Sequence, residues 1–151
     1  MKRRLAREIA VSSLYQMEMS GVSGDEAVDM VMEEARQENE IGAEVGELAA
    51  IDGFTRELVA GVHARREDLD RELAAFLTGW QVDRLSRVDR QILRLAAYEM
   101  TYRGVPPKVV VNEAIELAKH FGLEESGKFV NGVLGRMIRE KESQTEKGEN
   151  Q

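Results

Sequence analysis

The stretch "GLEESGKFVNG", Gly122 to Gly132, contains G-x-x-x-x-G-K, which is nearly the loop that cradles phosphate in nucleotide hydrolases. In that loop a Ser or Thr follows the lysine and its hydroxyl binds magnesium; here the position is Phe129. The loop also needs a buried strand before its glycines, and here a helical pattern precedes them. No later apolar strand ends in an aspartate to hold a metal. The glycines read instead as one helix stop, at Gly122, and one helix start.

Other enzymatic constellations are absent from the sequence. His63 and His120 have no metal-ligand spacing between them, and neither G-x-S-x-G nor H-E-x-x-H occurs. There is no cysteine, which excludes disulfides, thiolate metal sites and thiol catalysis. The expectation is a protein that is not an enzyme, with no catalytic residues, metal or cofactor.

Charge points elsewhere. The net charge is −7, yet Lys2, Arg3, Arg4 and Arg7 put +4 on the first seven residues, leaving −11 for the remainder. A basic tip on an acidic body suits an anionic ligand, because association follows the local field. On a wheel of about 100° per residue, Arg3, Arg4 and Arg7 span an arc of about 100°. Leu5, Ala6, Ile9, Ser13 and Met17 take the other side, and Tyr15 lies near the arginines two to three turns along. Cations at a helix start oppose the macrodipole, a local conflict that favours function over a merely solvated terminus.

A second stripe runs Arg84, Arg87, Arg90 and Arg94, with Asp83 among them and Asp89 elsewhere on the same helix. It reads either as a salt-bridged solvent face or as a further cationic surface, with Arg94 deepest in the helical run. Phe129 falls about 120° from the apolar stripe centred on Val130 and Leu134. It is either tucked under a neighbouring helix or a stacking platform for an unpaired base, with Lys128 beside it for phosphate.

The elements that must position these residues are helical throughout. The chain has 151 residues, enough to bury a core, and only two prolines. Periodicity predicts helices over about 3–19, 23–37 (opened by the capping box Ser23-x-x-Glu26), 45–62, 69–76, 85–104, 109–121 and from 126 onward. Val109, Val110 and Val111 form the one β-like run, and "NEIGAEVGE" is an acidic linker. The expected face of the sixth helix is Val111, Ala114, Ile115 and Ala118. The expectation is an all-α, single-domain bundle of about seven helices over 1–140. A polar tail over 141–151 is expected to be disordered. No long apolar run suggests a membrane span, and Glu8 interrupts any signal-peptide core, so a cytoplasmic location is expected.

"RRLAREIAVSSLYQ" (3–16), "VDRQILRLAAYEM" (88–100) and "VPPKVVVNEAIELAKHFGLEESGKFVNGVL" (105–134) together resemble the NusB family of bacterial transcription antitermination factors. The similarity runs in order over nearly the whole chain. The second helix and linker are its least family-like part. The resemblance implies a compact helical domain that pairs with NusE, a small-subunit ribosomal protein. It further implies binding to single-stranded boxA RNA in ribosomal RNA leaders and work within the antitermination complex of RNA polymerase. By that resemblance Arg3, Arg4, Arg7, Lys128 and Phe129 are the RNA-binding candidates, and the second arginine stripe adds Arg94 to them. Tyr15 and Asp89 correspond to the NusE surface, and Glu125 is an acid near the RNA edge. Where relatives often carry a further arginine, this chain has Leu5. Two alternatives stay open: an interaction module, including a homodimer that buries the arginine face, and a fragment of a ribosomal-RNA cytosine methyltransferase. Against the latter stand the missing cysteine and a chain expected to lack room for a catalytic domain.

Overall fold

The computed structural model describes residues 2–38, 45–79, 81–121 and 124–149. The expected helix stop at Gly122 and most of the acidic linker lie outside the described residues. Seven α-helices and one short 3-10 turn make up the described secondary structure, with no strand among the described residues. Within the all-α fold the chain falls into two compact units, Met1–Arg66 and Glu67–Gln151. The division falls in a run of exposed residues, His63 to Asp68, most of them charged.

The first unit holds α1 (Arg3–Ser20), α2 (Gly24–Gln37) and α3 (Val45–Ala64). Helix α1 buries a wide arc, Ala6, Ile9, Ala10, Val11 and Leu14, because both α2 and α3 pack on it. Its end is set by Gly21, whose φ of 69° is left-handed and whose N–H donates to the Met17 carbonyl at 2.9 Å. The capping box forms as expected at α2, where Ser23 Oγ accepts from the Glu26 N–H at 3.2 Å. Helices α2 and α3 are tied by Arg56, which pairs with Asp52 on its own helix and with Asp25 and Asp29 of α2. Asp52 first, then Asp29, raises the guanidinium pKa above its ordinary value. Buried hydroxyls satisfy themselves within the helices: Ser13 Oγ donates to the Ile9 carbonyl at 2.7 Å and Thr55 Oγ1 to Ile51 at 2.9 Å.

The second unit holds α4 (Arg66–Ala74, all but its first residue), the 3-10 turn Val82–Arg84, α5 (Arg87–Tyr102), α6 (Pro107–His120) and α7 (Glu124–Glu149). Ser86 caps α5 by accepting from the Asp89 N–H at 3.2 Å. Helix α5 is buried around most of its circumference, with Ile92, Leu93, Leu95, Ala96 and Ala97 all in the core. The three consecutive valines are helical, because Pro107 sits in the first turn of α6 and its preset φ starts the helix. The buried face of α6 is Val110, Ala114, Leu117 and Ala118. It is rotated from the expected stripe, leaving Val111 and Ile115 half-buried. Val130, Val133, Leu134 and Met137 of α7 complete the core.

Helix α7 runs to Glu149, across the described part of the polar tail. Glu, Gln, Lys and Arg are good helix formers, and Lys141 is held by Glu72 of α4 at 3.1 Å. A polar composition without a core face is therefore compatible with one uninterrupted helix.

Gly21→Ala tests the first unit. A Cβ there meets nothing within 4 Å, so the cost is purely that of a left-handed backbone. Urea unfolding should show a loss of about 1–2 kcal/mol; no loss would mean that α1 does not need this stop.

Candidate nucleic-acid interface

The basic tip is built differently from the wheel. Arg3 and Arg4 are exposed. Arg7 is not: it is 5% exposed and already has a partner within the protein. The reason lies in its spacing, since Arg7 precedes Ala10, Val11 and Leu14 by three, four and seven residues and shares their buried side. The single opposite face assumed for α1 is in fact two adjoining stripes, and Arg7 stands at the head of one. Nearby, Lys2 pairs with Glu47 at 3.0 Å, and the Arg3 guanidinium lies 5.9 Å from the centre of the Phe54 ring. That distance is within cation–π range. Phe54 is half-buried beneath the arginine. Tyr15, further along α1, is also half-buried.

The second arginine stripe resolves into structural ties. Arg90 is buried, and its guanidinium donates to the carbonyls of Val82 (3.0 Å), Asp83 (2.9 Å) and Leu85 (3.1 Å). Arg94 makes a two-pronged pair with Asp70 of α4, Nε to Oδ1 at 2.7 Å and Nη2 to Oδ2 at 2.6 Å. Its side chain is 14% exposed and that of Asp70 28%. Arg94, expected as an RNA cation, is thus paired with a carboxylate through two of its N–H groups. Arg136 is used in the same way, holding the Phe76 carbonyl with two N–H groups at 3.2 and 2.8 Å.

At the starts of α5 and α7 the second unit opens a cleft of about 270 Å³. Phe129 lines it together with Asp89, Glu125 and Ser126, and Arg84, Leu85 and Ser86 complete the wall. Phe129 is half-buried rather than core, while Lys128 beside it is exposed. Asp89 and Phe129, expected on separate partner and RNA surfaces, thus share one cleft. The Asp89 Oδ1 atom is buried without a hydrogen-bond partner. The residues from Arg84 to Ser86 escaped sequence reading except as a charge stripe. The signal available for them was Ser86-x-x-Asp89, a helix-start pattern of the same kind as Ser23-x-x-Glu26.

Residues 4–139 match the NusB family model. This chain belongs to the NusB family. It is therefore a transcription antitermination protein rather than an enzyme. It is 41% identical over 136 residues to the transcription antitermination protein NusB of Myxococcus xanthus, covering 89% of this chain and 93% of that one. Among solved structures it resembles T. maritima NusB with a TM-score of 0.75 and 31% identity, over 93% of this chain and 92% of that chain. A crystal structure of the antitermination factors NusB and NusE in complex with double-stranded RNA matches with a TM-score of 0.73 and 27% identity, over 92% of this chain and 98% of that chain. No described helix is long and apolar enough to cross a membrane.

Within this NusB-family chain each unit carries its own share of the candidates: Arg3, Arg4 and Tyr15 in the first, and Asp89, Glu125, Lys128 and Phe129 in the second. Arg7 is buried and Arg94 is paired with Asp70. Arg94→Ala should therefore cost about 1–3 kcal/mol of stability, between an exposed and a buried ion pair. Phe129→Ala should cost well under the about 3–5 kcal/mol of a fully buried phenylalanine. Urea midpoints measure both, and a larger loss for Phe129 than for Arg94 would return the ring to the core.

Proposed function

We propose that this chain acts with NusE to bind single-stranded boxA-like RNA of ribosomal RNA leaders, and that the pair joins the antitermination complex of RNA polymerase to carry it past terminators. The setting is the cytoplasm, where transcription and ribosomal proteins meet. The observation that carries the reading is Phe129, half-exposed at a cleft with the exposed Lys128 beside it, in a member of a family whose solved relative binds NusE and RNA.

The physics is that of single-strand recognition. Arg3 and Arg4 set the path of the backbone and Lys128 adds a third cation. Phe129 offers a face to an unstacked base, at about 1–3 kcal/mol for a full stack. Three phosphate contacts correspond to a salt slope of about −2 on single-stranded RNA. The acidic remainder of the chain keeps indiscriminate binding low. Tyr15 and Asp89 are the proposed contributors to the NusE surface.

A second reading is favoured by one observation: the relative bound with NusE holds double-stranded RNA. Duplex binding would rest on phosphate contacts and leave Phe129 idle.

Fluorescence anisotropy with labelled boxA-like RNA, a scrambled strand and a duplex, each with and without NusE, separates these readings. Selective binding to the boxA-like strand that tightens with NusE is expected. Replacing Arg3 and Arg4 together by alanine should weaken binding and flatten the salt slope by about 1. Phe129→Ala should weaken single-strand binding about 5- to 100-fold. Preference for the duplex, unaffected by Phe129→Ala, would favour the second reading. Equal binding to both strands, or none, would move the function to protein–protein interaction or self-association.

A further inference from the structure

We infer that the cleft where the end of α1 and the start of α2 meet the end of α3 docks a protein partner other than NusE, one that presents a basic segment with a single apolar side chain. The inference concerns the first unit alone and does not depend on RNA binding.

The cleft has a volume of about 270 Å³. Its accessible apolar surface comes from Met17, which is half-buried, and from Ala60 and Ala64, which are exposed. Val28 and Val59 close the floor behind them and are themselves covered. Gly24 keeps the space open on the α2 side, since a Cβ there would come within 3.3 Å of Val59 Cγ1 and 3.8 Å of Met17 Cε. Methionine is unbranched and polarizable, so the Met17 wall adapts to an entering side chain.

Charge decides what enters. Asp25 lines the cleft and Asp29 follows one helical turn along α2, with side chains 83% and 69% exposed. Both reach Arg56, which also holds Asp52, so three carboxylates share one guanidinium and the rim stays negative. A nucleic-acid backbone is repelled there. A metal ion would have to displace Arg56 from its aspartates, and a small polar ligand finds the Ser23 hydroxyl already accepting from the Glu26 N–H. The volume lies just below the range of pockets for drug-sized ligands, so it suits one aliphatic side chain. The matching occupant is a Leu, Ile or Met flanked by Lys or Arg, its cations meeting Asp25 and Asp29.

The position on α1 separates this partner from NusE. Met17 lies two residues past Tyr15, about 200° around the helix, so the cleft and the proposed NusE surface are on opposite sides of α1. The cleft therefore stays open while Tyr15 is engaged.

The test uses the full chain, alone and paired with NusE, and fluorescein-labelled peptides KRKLKRK, KRKSKRK and EDELEDE, read by anisotropy. KRKLKRK should bind at least about 5-fold tighter than KRKSKRK, the worth of a partly buried leucine, and EDELEDE should not bind. Ala60→Phe fills the cleft from an exposed position and should bring the two basic peptides to within about twofold of each other. Asp25→Asn with Asp29→Asn, which leaves Arg56 its Asp52 pair, should weaken both basic peptides and flatten their salt dependence. Circular dichroism checks that both variants keep their helicity. In the unsubstituted chain, labelled methionine methyl groups give a measurement free of any folding defect: the Met17 signal should move on adding KRKLKRK. Equal binding of the two basic peptides, or a leucine preference that survives Ala60→Phe, overturns the inference and leaves only attraction to an acidic surface. An unmoved Met17 signal does the same. Loss of KRKLKRK binding in the NusE pair overturns it and gives the cleft to NusE. A dimer of the free chain that KRKLKRK dissociates gives it to a second copy.

Discussion

The guanidinium of Arg90 gathers the carbonyls of Val82, Asp83 and Leu85, and the candidate cleft depends on that grip. A 3-10 turn of three residues has few hydrogen bonds of its own and poor geometry. Tied to a buried side chain on the following helix, it becomes a fixed corner. The corner delivers Ser86 as the cap of α5 and brings Arg84 and Leu85 to the wall of the cleft. Asp89 then stands in the first turn, one residue before the arginine that organises it. The position of Asp89 is thus set by its neighbour in the chain.

Arginine is used in this way throughout both units. Arg56 joins α2 to α3 through three aspartates, Arg94 joins α5 to α4 through Asp70, and Arg136 closes on the Phe76 carbonyl. Each exploits the planar fork of the guanidinium, which meets two or more acceptors with little loss of freedom per bond. The chain therefore spends many of its cations on architecture. This explains why two of the four arginines in the second stripe, Arg90 and Arg94, add little to an exposed positive surface, while Arg84 and Arg87 remain exposed. It also concentrates the proposed attraction for RNA in Arg3, Arg4 and Lys128.

The sequence revealed the helices better than their faces. Apolar spacing placed all seven, and Ser23-x-x-Glu26 located the start of α2, because capping and periodicity are local and the chain carries them in consecutive residues. The rotation of the α6 stripe, from Val111 and Ile115 to Val110 and Leu117, was not local. It depends on which neighbours α6 meets. The burial of Arg7 and the pairing of Arg94 were illegible for a related reason. A long cation looks the same in sequence whether its head reaches water or a carboxylate distant in the chain, and Asp70 is 24 residues from Arg94. The polar end of α7 carries Glu, Gln and Lys, which favour helix, and Lys141 finds Glu72, a pairing that composition alone does not register.

The opening motif gains its meaning from these placements. Lys128 and Phe129 follow Gly127 in the order of a phosphate loop, but no strand precedes them and no hydroxyl follows. What the same order produces on a helix is a cation in solvent adjacent to a ring at a cleft. A cation in water attracts any polyanion, while a ring accepts any base, so neither alone discriminates among strands. Discrimination requires a group whose hydrogen bonds must be met by one partner and are left unmet by others. Negative charge at the cleft, from Asp89 and Glu125, opposes a phosphate there, so the ring rather than a charge is what the proposed site offers a strand at this point.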